Sequence, residues 1–132
     1  MGLFPVAGRS TVQGDIGVAC AIRWFTVNGY VVCIPVSEHQ DFDLVVVGEA
    51  GVPQKVQVKT TRGLEGSNFE VQLSTCGGNR SNGTKVKPFT ACTADLLFVV
   101  TDSGDEYLIP RSVITATRCI VLGEKYQSYR VF

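Results

Sequence analysis

Apolar positions in the first quarter of the chain recur at helical spacing. Val12, Ile16, Ala19, Cys20, Ile22 and Val27 broadly follow the three-to-four-residue period of an amphipathic helix. Ser10 or Thr11 can cap its start, and Ser10 with Gln13 fits the reciprocal pattern of a capping box. Asn28-Gly29 supplies the stop, because glycine accepts the left-handed backbone that closes a helix. Beyond it the pattern changes to short β-branched runs. Residues 30–35, 42–47 and 54–60 read as strands, and Gly48-Glu49-Ala50-Gly51-Val52-Pro53 joins the last two as a hairpin. Residues 69–73 read as a further strand, and 76–88 as a glycine- and asparagine-rich loop. A second hairpin is expected from 95–101 and 107–109, then a helical turn over 111–114 and a terminal edge strand over 128–132. One helix followed by a mostly antiparallel sheet predicts an α+β or mixed α/β fold. With no repeat or linker, residues 1–132 are expected to form a single domain.

Composition narrows the class. A chain of 132 residues buries roughly two-thirds of its unfolded surface on folding. Its 45% hydrophobic and 18% charged residues suit a globular domain and exclude a disordered one. No apolar run approaches the ~20 residues that cross a bilayer, and MGLFPVAGRS lacks the pattern of a signal peptide. A membrane partner is therefore not expected, and a cytoplasmic location is. The odd set Cys20, Cys33, Cys76, Cys92 and Cys119, with no CxxC, argues against a disulfide framework or a structural zinc site. His39 is the only histidine, so carboxylates, amides and lysines remain as the available chemistry. Zero net charge removes global basicity as a sign of nucleic-acid binding. Locally, across residues 66–90, Arg80, Lys85 and Lys87 stand against the single acid Glu70.

Three polar residues interrupt the strands. Asp43 opens the run Leu44-Val45-Val46-Val47, and Gln57 and Lys59 flank Val58. Strand side chains alternate, so Gln57 and Lys59 share a face, and the hairpin lays Asp43 beside them. An acid, an amide oxygen and an ammonium at one point suit phosphodiester hydrolysis. A hard divalent cation on oxygen ligands lowers the pKa of the attacking water and screens the phosphate. A lysine beside it orients or deprotonates the water, or neutralises developing charge. In this reading Asp43 is the anionic ligand, Gln57 offers its side-chain carbonyl and Val58 its backbone carbonyl. Taken singly, Asp43 also reads as a turn aspartate, and Gln57 and Lys59 as the solvent face of a strand.

Tyr30-x4-Pro35, Asp43-Leu44-Val45-Val46 and Gln57-Val58-Lys59-Thr60 together resemble the PD-(D/E)xK nucleases. The match is nearest to the small homing endonucleases of group I introns, which carry a QxK variant, with archaeal Holliday-junction resolvases as more distant kin. The resemblance covers the first half from Gly14 and continues loosely through Asp95-Leu96-Leu97-Phe98 and Tyr107-Leu108-Ile109-Pro110. It implies a restriction-endonuclease-like core with a central mixed sheet and flanking helices, and Mg²⁺ dependence with Mn²⁺ as a substitute. It also implies double-stranded DNA as substrate, a homodimer or homotetramer, and a prokaryotic, phage or mobile-element origin. Where the family carries a glutamate four residues after a helix glycine, this chain has Val18. Asp15 lies on nearly the same helical face and is the expected substitute ligand, although it reads equally as a first-turn acid favoured by the helix dipole. Arg62, Arg80, Lys85 and Lys87 are the candidate phosphate contacts, the last three having an equal reading as a solvated loop. The alternatives are a structure-selective junction resolvase and a DNA-binding module whose nuclease site has decayed.

Overall fold

A computed structural model describes residues 2–5, 10–76, 86–87, 89 and 92–132. Helix α1 (Ser10–Val27) ends as its sequence dictates. Gly29 takes φ +86°, and the Tyr30 and Gly29 amides donate to the carbonyls of Phe25 and Thr26 at 2.9 and 3.1 Å. This is the Schellman closure, which only a left-handed residue permits cheaply. The capping box does not form: the Gln13 amide crosses to Thr60 Oγ1 at 2.9 Å.

Five strands form the main sheet in the order β1 (Val31–Cys33), β2 (Leu44–Val47), β3 (Pro53–Thr61), β8 (Leu96–Thr101), β9 (Glu106–Pro110). Both expected hairpins are present as antiparallel pairs, with Leu44 opposite Val56 and Phe98 opposite Leu108. At the centre β3 runs parallel to β8, with Val58 opposite Phe98, so the sheet is mixed. A parallel pair has to be covered on both faces, and all six residues of β8 are buried.

The two faces are closed differently. On one, α1 packs its Ala21 and Phe25 against Leu44, Val46, Val56, Phe98 and Val100. Gly17 brings it close: a Cβ there would stand 2.4 Å from Thr60 Cγ2. Trp24 joins Phe25, Tyr30 and Phe98 in an aromatic cluster with centroids 5.1–6.3 Å apart. The resemblance implied flanking helices, but among the described residues α1 is the only α-helix. The second face is covered by a small antiparallel sheet, in the order β10 (Cys119–Val121), β5 (Asn68–Gln72), β4 (Leu64–Glu65). Its Val71 and Ile120 pack with Leu97, Val99, Tyr107 and Ile109.

Two further expectations change, at the chain end and in the 76–88 loop, while the helical turn expected over 111–114 forms. The chain end is a 3-10 helix over Glu124–Tyr129, followed by a single bridge between Tyr107 and Arg130, in place of a full edge strand. The helical turn after β9 is a 3-10 turn over Arg111–Val113. Part of the expected 76–88 loop is paired, as β6 (Thr75–Cys76) meets β7 (Val86–Lys87).

Candidate active site

Phe42 packs into the second-face core and anchors the chain as it enters β2. The Asp43 amide donates to the Val56 carbonyl at 2.8 Å, which holds Asp43 against β3 just before the Leu44–Val56 pair. The Asp43 side chain meets that of Gln57, which alternates with Val56 and Val58 and so lies on the face turned away from α1. Its carboxylate Oδ2 accepts the backbone N–H of Val58 at 2.7 Å and the Gln57 side-chain amide at 3.1 Å. The carboxylate thus takes a strand N–H that would otherwise need a backbone partner. Burial holds the Asp43 carboxyl above its usual pKa, opposed by the Val58 N–H and by the charge of Lys59.

Gln57 is 8% exposed. Its Nε2 is spent on Asp43, while its Oε1 is buried without a hydrogen-bond partner among the described residues. A buried amide oxygen left unsatisfied is costly unless something occupies it. Lys59 points to the same face, and its Nζ donates to the Ser74 carbonyl at 3.3 Å. Thr61, one alternation further, is buried and its hydroxyl donates to the Glu70 carbonyl, which fastens β3 to β5 beside the site.

The structure therefore brings Asp43, Gln57 and Lys59 together and leaves Asp15 apart. Asp15 is exposed and lies two residues from Gly17, so about 200° around the helix from the surface that touches β3. Moreover, α1 lies on the face opposite the three site residues. Gln13, one turn before Gly17, hydrogen-bonds Thr60 of β3, and Val18 packs against the core under α1. Arg62 is held by the N-terminal segment: its guanidinium donates to the Pro5 carbonyl at 2.6 Å and sits 5.7 Å from the Phe4 ring centroid. Arg80 and Lys85 lie outside the described residues, and Lys87 is described only as backbone in β7.

Two supporting groups were not read from the sequence. Ser74 enters through its backbone carbonyl, which no side-chain pattern announces. Asp41 acts two residues before Asp43: its carboxylate accepts from the Thr93 amide at 3.1 Å and hydroxyl at 2.6 Å, and its carbonyl accepts from Cys92 Sγ at 3.4 Å. That clamp fixes the segment that delivers Asp43. Its signal was an acid in a turn, which fits many roles.

The donors suit a hard divalent cation. Among the described residues Asp43 contributes the single negative charge, Gln57 Oε1 is a carbonyl oxygen without a hydrogen-bond partner, and the Val58 backbone adjoins Asp43. No group of three His, Cys, Asp or Glu residues capable of holding a metal occurs among the described residues.

A PD-(D/E)XK endonuclease model matches residues 9–128, nearly the whole chain. The chain belongs to the PD-(D/E)XK endonuclease family. Its fold superposes on a bacterial homing endonuclease, I-Ssp6803I, with a TM-score of 0.69 and 25% sequence identity, covering 93% of this chain and 87% of the other. Comparison with curated proteins by sequence found no match. A mixed sheet with α1 on one face is the fold of this family, and membership makes the chain a nuclease. PD-(D/E)XK nucleases generally use divalent metal ions and act on DNA. Among the described residues no helix is long and apolar enough to cross a membrane.

Proposed function

We propose that this PD-(D/E)XK nuclease is a Mg²⁺-dependent endonuclease that hydrolyses phosphodiester bonds in double-stranded DNA, with sequence selectivity of the homing type. The observation that carries the reading is the convergence of Asp43, Gln57 and Lys59, with Gln57 Oε1 buried and, among the described residues, unpartnered. Asp43 and Gln57 Oε1 would hold the cation, with the Val58 carbonyl as a further oxygen donor. Mn²⁺ has the same preference for oxygen ligands and is the expected substitute. When bound, such a cation lowers the pKa of a water molecule and screens the phosphate charge.

The chain's own groups do the rest. Asp43, positioned by the Val58 N–H, supplies the anionic charge of the site, and its ionisation sets the lower pH limit of function. Gln57 adds an oxygen without a second charge, so the cation is held less tightly than between two carboxylates. Lys59 Nζ, tethered to the Ser74 carbonyl, orients the attacking water and neutralises charge on the phosphate as water bonds to phosphorus and the leaving oxygen departs. Asp15 has no part in this constellation.

Cutting both strands needs two sites, and a homodimer or homotetramer supplies them. Exposed Val31, Ile34 and Val36, on and just after edge strand β1, support self-association. The family and the homing neighbour also favour a cytoplasmic, prokaryotic or mobile-element setting. One observation favours a second reading, a DNA-binding module with a decayed site: among the described residues Asp43 is the only carboxylate beside Gln57 and Lys59.

The test is cleavage of supercoiled plasmid DNA with Mg²⁺ or EDTA, with Lys59→Ala alongside. The wild type is expected to cut only with Mg²⁺, and the variant to lose at least about 100-fold in rate. Equal cutting by both proteins would remove Lys59 from the mechanism. Tight Mg²⁺-independent binding without cleavage would establish the binding module, and preference for four-way junctions irrespective of sequence would establish a resolvase.

A further inference from the structure

Every lysine and arginine whose side chain the structure describes has a partner, except Arg118. Arg23 pairs with Glu106 and Arg130 with Asp105, each at 2.7 Å. Arg62 is held by Pro5 and Phe4. Lys55 and Lys125 lie over the rings of Phe42 and Tyr126, and Lys59 and Arg111 are engaged. Arg118 is exposed, and among the described residues its guanidinium makes no hydrogen bond or ion pair.

Its position links it to the site. The Leu73 amide donates to the Arg118 carbonyl at 2.7 Å, which extends the β5–β10 pairing one step beyond Gln72 and Cys119. Leu73 precedes Ser74, whose carbonyl receives the Lys59 ammonium. Arg118 is thus one strand across and one residue along from the group that holds Lys59, about 6 Å between backbones by strand geometry. Its backbone is fixed on the other side too, because the Thr117 carbonyl accepts the Phe89 amide at 3.4 Å. A permanently charged, planar donor that makes no hydrogen bond or ion pair among the described residues, on a fixed backbone next to the strand end that holds Lys59, suits bidentate contact with phosphate.

We infer that Arg118 is a DNA-binding residue that grips a backbone phosphate next to the one presented to Lys59. The inference rests on the nuclease reading and adds a contact that the catalytic trio does not contain. It carries no sequence information, since a phosphate looks alike at every base pair.

The experiment is equilibrium binding of a fluorescent 30-base-pair duplex of arbitrary sequence, in EDTA, across a series of salt concentrations, for wild type, Arg118→Ala and Arg118→Lys. For B-DNA the slope of log affinity against log salt is about −0.9 per neutralised phosphate. Arg118→Ala is expected to flatten the slope by about 0.9. Its affinity should fall about fivefold at ~0.15 M salt, that slope extrapolated from 1 M. Both changes should be the same for an unrelated duplex. Arg118→Lys, which keeps the charge, is expected to restore the slope. An unchanged melting temperature for both variants shows that the fold is intact, and a residue of purely structural importance would not alter the salt slope. A wild type that binds DNA with the usual salt dependence, alongside an Arg118→Ala protein of identical slope and affinity, overturns this inference and leaves the nuclease reading standing. A wild type with no salt-dependent affinity overturns both.

Discussion

Replacing Gln57 by glutamate sets a second carboxylate where the amide now donates to Asp43 Oδ2 at 3.1 Å. With both groups ionised, the repulsion at about 4 Å is roughly 4 kcal/mol at an effective dielectric constant near 20, and the hydrogen bond, about 1 kcal/mol, is lost as well. The protein has a cheaper course: the pair retains one proton, which restores a donor between the carboxylates. Holding a proton on a group with an unfolded pKa of about 4.3 costs about 1.36 kcal/mol per pH unit above that value, so about 3.7 kcal/mol at pH 7 and about 1 at pH 5. The sign follows from linkage. The pair's folded pKa lies above the unfolded one, so the variant is as stable as wild type below about pH 4 and loses stability as pH rises. Urea denaturation in EDTA at pH 5, 6 and 7 measures this directly. The deficit is expected to grow from about 1 to 3–4 kcal/mol, and millimolar Mg²⁺ to remove most of it by neutralising the pair. A Gln57→Glu protein as stable as wild type at pH 7 in EDTA would show that Asp43 and residue 57 do not share a site.

Further outcomes follow from other parts of the fold. Burial raises the Asp43 carboxyl, so its contribution to stability is complete below its unfolded pKa and declines as pH rises through the folded one. Asp43→Asn, which keeps an acceptor for the Val58 N–H, should therefore match or exceed wild-type stability at pH 7 in EDTA while cleavage is lost; a thermal melt and a plasmid assay check both halves. Gly17→Ala should cost about 1 kcal/mol, since overpacking against Thr60 outweighs the helix-propensity gain. Gly14→Ala, with nothing within 4 Å, should gain about 0.5–1 kcal/mol, and equal effects in urea melts would contradict the packing of α1. Arg23→Ala strips the partner from Glu106, which is 2% exposed and whose carboxyl burial already raises. A loss of about 1–3 kcal/mol is expected near pH 7, shrinking toward pH 4 as Glu106 takes up its proton; a pH-independent loss would locate the effect elsewhere.

The grouping of Asp43, Gln57 and Lys59 was legible because its signals are local. Polar residues interrupting apolar runs, a short hairpin and strand alternation suffice to place Asp43 beside Gln57 and Lys59. The position of Asp15 was not legible, because the side of α1 that meets the sheet is decided by a close approach at Gly17 to a strand some forty residues away. Spacing gives the faces of a helix, and tertiary contact decides which one is covered. The covering of the second face was hidden for a similar reason. Its strand β10 has three residues and pairs with β5 nearly fifty positions earlier, so neither period nor turn chemistry marks it. Arg62 looked close to the site along the chain, yet strand alternation and the N-terminal segment take its guanidinium elsewhere.

A crystal structure of the protein grown with Mn²⁺, using anomalous scattering to locate the ion, tests the central claim most directly. The account predicts a cation within about 2.0–2.6 Å of an Asp43 carboxylate oxygen and of Gln57 Oε1, with Lys59 Nζ facing the water it carries. A cation bound elsewhere on the chain, with Gln57 Oε1 still unpartnered, would contradict it.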